Sequence, residues 1–455
     1  MEFLISINPA TQKTLGKIRV SLKSEIKRKV AEANAAKEAW KELGLTNRLR
    51  ILRRLYLQTG KRKNKLALLE TQEMGMPIKE SIADVESGLN YFKWYIGNAE
   101  RALKPEIVNK SNGATHQVAY EPIGTTAVII AWNFPFSNFI WRVIQNLIVG
   151  NTVVLKHAEE CPLFGKEIED AVKSSKLPRG VFSEVYGDGR VGNYLAHQDI
   201  DFICFTGSTA VGKRLYQLAA DKFIRVHLEC GGSAPGIVFN DVDIDGVLDT
   251  IYLNRFLNCG QMCDALKRLL VQKEIYSEMV QKLKQRIKAA KIGDPENRNI
   301  ELGPLVSMKQ MKLLSSQVKD AITKGAEVIC GGKQPAGLPG PYYEPTLLTN
   351  INLSMRVWKE EVFGPVLPVM TFSTEKEAIK LGNDTVYGLG AYVFTKNKTK
   401  ALRVASKLAS GMVGVNNASY ILPSNPFGGY KASGIGREHG KYGFYDLCQI
   451  KVISA

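Results

Sequence analysis

Apolar positions recur at helical spacing through the first quarter of the chain. In LRILRRLYLQTGKRKNKLALLETQ, which starts at Leu49, they return every three or four residues, and residues 24–104 are expected to be helical. The pattern then changes. HQVAYEP (116–122) and TTAVIIA (125–131) read as strands. NTVVLK (151–156), VFSEVYG (181–187), IDFICFT (200–206) and IRVHLEC (224–230) are further short strands. The helical segments GKEIEDAVKSSK (165–176), VGNYLAHQ (191–198) and VGKRLYQLAADKF (211–223) separate them. This alternation predicts a parallel sheet with crossover helices, which binds ligands beyond the C-terminal ends of its strands. A second α/β block is expected from KRLLVQ (267–272), SEMVQKLKQRIKAAKI (277–292), EVIC (327–330), VFGPVLPVMTF (362–372), KTKALRVASKLAS (398–410) and GMVGVN (411–416). The tail LCQIKVISA (447–455) reads as a strand. With the segment near 105–122, it is expected to leave the body and pair with a neighbour's sheet.

Composition narrows the class. A chain of 455 residues, 45% hydrophobic and 23% charged, suits a soluble globular protein of two or three domains. Its seven scattered cysteines do not make a secreted disulfide framework, and a reducing cytoplasm is the expected setting. MEFLISINPATQK carries no cleavage pattern. The most apolar stretch, 125–155, is interrupted by Asn133, Pro135, Arg142, Gln145 and Asn146, so no membrane span is expected. The net charge of +17 is spread out, and clusters such as KRKNK (61–65) are short. It is read as a lysine-rich surface that suits a phosphate-bearing cofactor, not as a nucleic-acid footprint.

Four strand ends carry unusual residues. Trp132 and Asn133 follow the first strand, Lys156 and Glu159 the second, and Gly207 and Ser208 open a helix. Glu229 precedes two glycines. FTGSTAVGK, a glycine turn into a helix, offers N–H groups to a pyrophosphate, although a plain helix cap by Ser208 or Thr209 explains it as well. Lys156 over ribose hydroxyls and Glu159 bridging them stand against an ordinary surface lysine and glutamate. LNCGQMCDAL (257–266) holds Cys259 and Cys263. A zinc site lacks two further ligands nearby, and a papain-type thiol lacks a His–Asn partnership. His227 reads as a core or crevice residue. A nucleophile needs backbone freedom, an oxyanion donor and a base. Gly260-Gln261, Asn133 with the Cys263 N–H, and Glu229 are candidates for these parts. Spacing leaves open whether they converge.

The sequence resembles the NAD(P)-dependent aldehyde dehydrogenase superfamily over essentially its whole length. The resemblance rests on WNFP (132–135), LKHAEE (155–160), FTGSTAVGK (205–213), LECGG (228–232), GQMC (260–263), EEVFGPV (360–366) and PFGGYKASGIGRE (426–438), in family order. It implies a Rossmann-type cofactor domain (1–104 and 123–232), a second α/β catalytic domain (233–440) and oligomerisation segments (105–122 and 441–455) of a homodimer or homotetramer. It implies that Cys263 is the nucleophile, that Asn133 and the Cys263 N–H hold the oxyanion, and that Glu229 activates water. The coenzyme-A-acylating branch usually lacks that glutamate, so hydrolysis is expected. Lys156 and Glu159 match the adenosine-ribose pair, Gly207 and Ser208 the pyrophosphate turn, and Glu361 and Phe363 the nicotinamide site. Ile130, Trp132, Gly187 and Gly231 complete the expected cofactor set. The cofactor is NAD or NADP, with Glu159 leaning towards NAD; no metal is expected.

Departures bear on the substrate, a small-molecule aldehyde. Ala131 stands where the family has proline, and ECGGS replaces ELGGK. Ser233, KRLLV (267–271) and LKHA resemble the branch containing bacterial and archaeal succinate-semialdehyde dehydrogenases. Many of those enzymes bind a distal carboxylate with an arginine eight residues after the oxyanion asparagine. Here that residue is Trp141, and Arg142 follows it. Trp141 is expected to wall an apolar tunnel with Met262, Tyr420 and Ile421, favouring small or broad-range uncharged aldehydes. Arg142 reaches the site only if the helix phase differs by about 100°. Succinate semialdehyde, glyceraldehyde and lactaldehyde remain alternatives, as does a non-catalytic binding protein. Cys259 is read as a small buried residue, with an oxidative disulfide to Cys263 as the alternative.

Overall fold

The computed structural model describes residues 1–455. An N-terminal hairpin, Phe3–Ile7 with Thr14–Arg19, precedes four helices, Lys23–Glu42, Leu45–Lys61, Lys63–Met74 and Ile78–Ala102. The hairpin is half exposed, and its mixed polarity gave no strand signal. The helices match the expected 24–104 segment.

Five parallel strands form the first sheet, in the order Arg225–Glu229, Phe202–Thr206, Thr125–Ile129, Thr152–Lys156, Phe182–Val185. Alternate side chains enter two cores. Val128, Val153 and Leu155 face one, while Ala127, Ile129 and Val154 face the other. Both faces are therefore covered, as a parallel sheet requires. Chain order reverses between Thr125–Ile129 and Phe202–Thr206, which opens a crevice at their C-terminal ends. Gly434–Ile435 returns from late in the chain and pairs antiparallel with Arg225–Glu229.

The second sheet has seven strands, in the order Glu327–Cys330, Thr346–Thr349, Val366–Phe372, Leu266–Gln272, Ala234–Val238, Gly390–Phe394, Met412–Val415. Only Glu327–Cys330, at the edge, is antiparallel. Ala234–Val238 was hidden from the pattern by its Pro235 and Gly236, yet it is wholly buried beside Leu266–Gln272. The tail strand Cys448–Ser454 pairs antiparallel with Ala114–Pro122, which also pairs with Glu106–Ser111. Within the chain, the tail and the segment 105–122 therefore form one sheet. The resulting three-stranded sheet exposes Ile107, Val108, Ile450 and Val452. No helix is long and apolar enough to cross a membrane.

Candidate active site

The crevice at the strand-order reversal opens into a cavity of about 250 Å³. Trp132, Asn133, Trp141, Gly207, Ser208, Glu229, Gly231, Cys263, Glu361 and Phe363 all line it. Residues from five separate stretches of sequence therefore converge on one space.

Asn133 sits between the strand Thr125–Ile129 and a helix that Pro135 starts at its first turn. The side chain is buried, and its amide donates to the Gln261 carbonyl at 3.0 Å. One amide hydrogen remains for a ligand. The Asn133 carbonyl accepts from the Asn258 side chain at 2.7 Å. The loop before Cys263 is strained: Asn258 and Cys259 have φ of 49° and 55°. Glu80 braces it by accepting the Asn258 N–H at 2.7 Å. Asn258 thus ties the Asn133 segment to the loop that carries Cys263.

Cys259 points the other way. Its thiol donates to the Gly303 carbonyl at 3.3 Å within the core of the second sheet. This is the buried small-residue reading of Cys259, and the geometry gives no support to a disulfide with Cys263. Burial and the neighbouring Asp264 push the Cys263 thiol well above its usual range, with the Lys267 ammonium opposing them.

Glu229 ends its strand with both carboxylate oxygens buried and without a hydrogen-bond donor. Burial and then Glu438 drive its pKa well up, against Arg142. The nearest cation-capable group is His227, 3.8 Å away. That imidazole is also buried with both ring nitrogens unpartnered, and burial and Arg142 push its pKa down, so it is neutral. A carboxyl with bare oxygens beside a cavity can take up and release a proton.

The cofactor candidates fall into two groups. Gly207 and Ser208 lead into Thr209–Lys222, with Ser208 accepting the Val211 N–H. A Cβ at Gly207 would lie 2.5 Å from the Phe205 ring, so glycine keeps this turn tight. A Cβ at Gly231 would collide with the Glu361 carboxylate. Glu361 accepts the Gly232 N–H at 3.0 Å, and Phe363 meets Trp132 edge to face at 5.6 Å. The second group lies off the main cavity wall. Lys156 is buried and pairs with the more exposed Glu159 at 2.7 Å. Gly187, at φ 156°, has Val191 where a Cβ would be. Ile130 is buried, and its N–H donates to the Lys156 carbonyl.

At the substrate end, Trp141 faces the cavity and packs against Tyr91, Phe427 and His439. The helix through it widens into a π-turn, Ile140–Ile144. Arg142 does not reach the cavity. It is almost fully buried, 2.7 Å from Glu438 and donating to Thr206 at 2.9 Å. Its guanidinium faces the Glu438 carboxyl rather than the cavity. Met262 is buried outside the cavity wall. Tyr420 lies within hydrogen-bond distance of the Asp264 carboxyl and the Tyr392 hydroxyl, and Ile421 packs against the cluster of Leu389, Met412 and Phe427, as Cys263 does. Sequence reasoning missed Glu438, Phe427, Tyr91 and Asn258. Glu438 lay inside a quoted motif, but nothing local marked it as the partner of Arg142.

Comparison with known proteins agrees with this site. The Aldehyde dehydrogenase family matches residues 2–453. A probable NADP(+) succinate-semialdehyde dehydrogenase of Sinorhizobium fredii is 35% identical over 98% of this chain and 91% of its own. A 3-sulfolactaldehyde dehydrogenase of Pseudomonas putida is 36% identical over 98% of this chain and 92% of its own. A crystal structure of betaine aldehyde dehydrogenase from Staphylococcus aureus in complex with NAD+ superposes with a TM-score of 0.96. It is 33% identical, covering 100% of this chain and 91% of that one. A cysteine, an amide and a carboxyl converge beyond a doubly covered parallel sheet, and family likeness spans the chain end to end. The protein therefore belongs to the aldehyde dehydrogenase family and is an NAD(P)-dependent oxidoreductase.

Proposed function

We propose that the chain oxidises aldehydes lacking a distal carboxylate to their acids, through a thioester on Cys263 released by water. The observation that carries this reading is the pairing of Arg142 with Glu438 behind a cavity walled by Trp141 and Phe427. No arginine lines that cavity, so a substrate carboxylate would be desolvated there without a guanidinium partner. Apolar and aromatic walls instead suit small or broad-range uncharged aldehydes. Succinate semialdehyde is the second reading, favoured by the Sinorhizobium relative.

The residues fit a nicotinamide dinucleotide. The N-terminus of Thr209–Lys222, reached through Gly207 and Ser208, suits a pyrophosphate. Lys156 and Glu159 suit the adenosine ribose, and Glu361 with Phe363 the nicotinamide end. Glu159 carries a negative charge where a 2′-phosphate would lie, which leans the choice towards NAD. The bound nicotinamide supplies the hydride acceptor.

The Cys263 thiol gives its proton to solvent, and its sulfur attacks the aldehyde carbon as the carbonyl electron pair moves onto oxygen. Asn133, through its remaining amide hydrogen, and the Cys263 N–H stabilise the oxyanion; such a donor typically contributes 10²–10³ in rate. After hydride loss the thioester remains. Glu229 takes a proton from water, which attacks the acyl carbon and expels the Cys263 thiolate. The three-stranded sheet, with Ile107, Val108, Ile450 and Val452 exposed, is the surface through which a homodimer or homotetramer would assemble.

Initial rates of nicotinamide reduction test the reading, with NAD and NADP against hexanal, benzaldehyde, glyceraldehyde and succinate semialdehyde. Uncharged aldehydes should give the highest kcat/KM. A preference of orders of magnitude for succinate semialdehyde would overturn the role given to Trp141.

A further inference from the structure

Lys267 sits in the strand Leu266–Gln272 with its side chain fully removed from solvent. An ammonium at such a depth is costly unless each of its three hydrogens finds an acceptor. All three do. Lys267 donates to the Gly232 carbonyl at 2.9 Å, to the Cys263 carbonyl at 2.9 Å and to the Glu361 carboxylate at 2.5 Å. Its Nζ also lies 5.3 Å from the centre of the Phe363 ring. These partners come from three places in the chain. Gly232 follows the Glu229 strand, Cys263 is the candidate nucleophile, and Glu361 and Phe363 line the cavity on the cofactor side. Glu361 has only one other donor, the Gly232 N–H.

We propose that Lys267 is a positioning residue for cofactor binding, holding Glu361 in the orientation that receives the nicotinamide ribose. The proposal rests on the reading of Glu361 given above. Glu361 is partly exposed on its cavity side. Without the ammonium, it would keep one backbone donor and be free to rotate towards solvent. The two other bonds of Lys267 fix the ammonium itself to the backbone of Gly232 and Cys263. The distance between the ribose-binding carboxylate and the reacting sulfur is therefore set by one buried cation. Arginine is too large for this enclosed site, and methionine keeps the volume while deleting the charge.

The test is cofactor binding by calorimetry on the full-length protein, without aldehyde. The variants are Lys267→Met, Lys267→Gln, Glu361→Gln and the double variant Lys267→Met/Glu361→Gln. Lys267→Met should weaken the dinucleotide by about tenfold, and Glu361→Gln by a similar factor. The double variant should bind no worse than the weaker single, because both act through one carboxylate. Affinity for ADP, which lacks the nicotinamide half, should stay within twofold, showing that the fold survives. Lys267→Gln keeps hydrogen-bond donors at this position and guards against loss of folding in the methionine variant. It should fall between wild type and Lys267→Met. If Lys267→Met and Lys267→Gln leave the dinucleotide Kd within twofold, or if the losses of the two single variants multiply, the proposal is overturned. Equal loss of ADP affinity overturns it as well. If Glu361→Gln itself binds normally, the reading of Glu361 fails and takes the proposal with it. A change in Glu361→Gln alone sinks only Lys267.

Discussion

Glu229 is buried and Glu80 partly buried, and the surroundings of these two carboxylic acids are opposite. Glu80 belongs to a group on the third and fourth helices whose oxygens receive backbone N–H groups. Glu80 accepts from Asn258, Glu73 from Leu163 and Phe164, Glu70 from Phe136, and Asp84 from Ser137. Each accepted N–H belongs to a segment beside the cavity. Two follow Asn133, one precedes Cys263, and two start the helix after Lys156 and Glu159. Glu229, at the cavity itself, receives no donor at all. Each carboxyl that braces backbone accepts at least one N–H, and the one poised for proton transfer accepts none. Absence of partners at a buried acid is thus a more specific mark of chemistry here than burial alone.

The contrast breaks most visibly at Glu229. Glu229→Gln should lower steady-state kcat by about 10²–10⁴, while the first turnover still reduces nicotinamide, because only deacylation needs the base. Stopped-flow absorbance checks it: a retained burst followed by a slow steady state is expected, and loss of the burst would move Glu229 to an earlier step. A smaller effect is expected at Glu80. Glu80→Ala leaves the Asn258 N–H unsatisfied and should cost about 1–3 kcal/mol of stability. Urea unfolding measures it, and an unchanged midpoint would show that the strained loop needs no brace.

The smallest effect is a slope with pH. Burial pushes Glu73 up to about 7 and Glu80 up to about 8, against the donors they accept from. A raised folded pKa means that the folded state holds these protons more tightly than the unfolded one. The associated stability is complete below the ordinary carboxylate range and is lost as pH rises through about 7 to 8. Tm should therefore fall between pH 5 and 9, and Glu80→Gln should flatten part of that fall. A slope identical to wild type would remove Glu80 from the account.

What could be read in advance follows the range of the interactions. Turns such as Gly207-Ser208 and the strand ends before Asn133 and Glu229 announce themselves within a few residues, because strand length and glycine placement are local. The braces do not. Glu80 and Asn258 are separated by 178 positions, and neither residue type marks the other. Trp141 and Arg142 show the same limit. Their facing depends on a π-turn and on Glu438, far along the chain, and no local periodicity reports either. The GQMC motif separates Cys263 from Cys259 in the sequence, but not the positive φ at Asn258 and Cys259 in the loop whose Cys259 thiol enters the core while Cys263 lines the cavity.

The three-stranded sheet imposes a schedule on synthesis. His116 and Ser454 are register partners, and 338 residues separate them. At about 5–20 residues per second, translation takes roughly 17–68 s to cover that span. Until the last strand emerges, Ala114–Pro122 is an open edge next to the exposed Ile107 and Val108, a surface on which nascent chains can pair with one another. Slower translation of the 3′ end of the message would therefore raise the yield of aggregate without altering any residue of the mature enzyme.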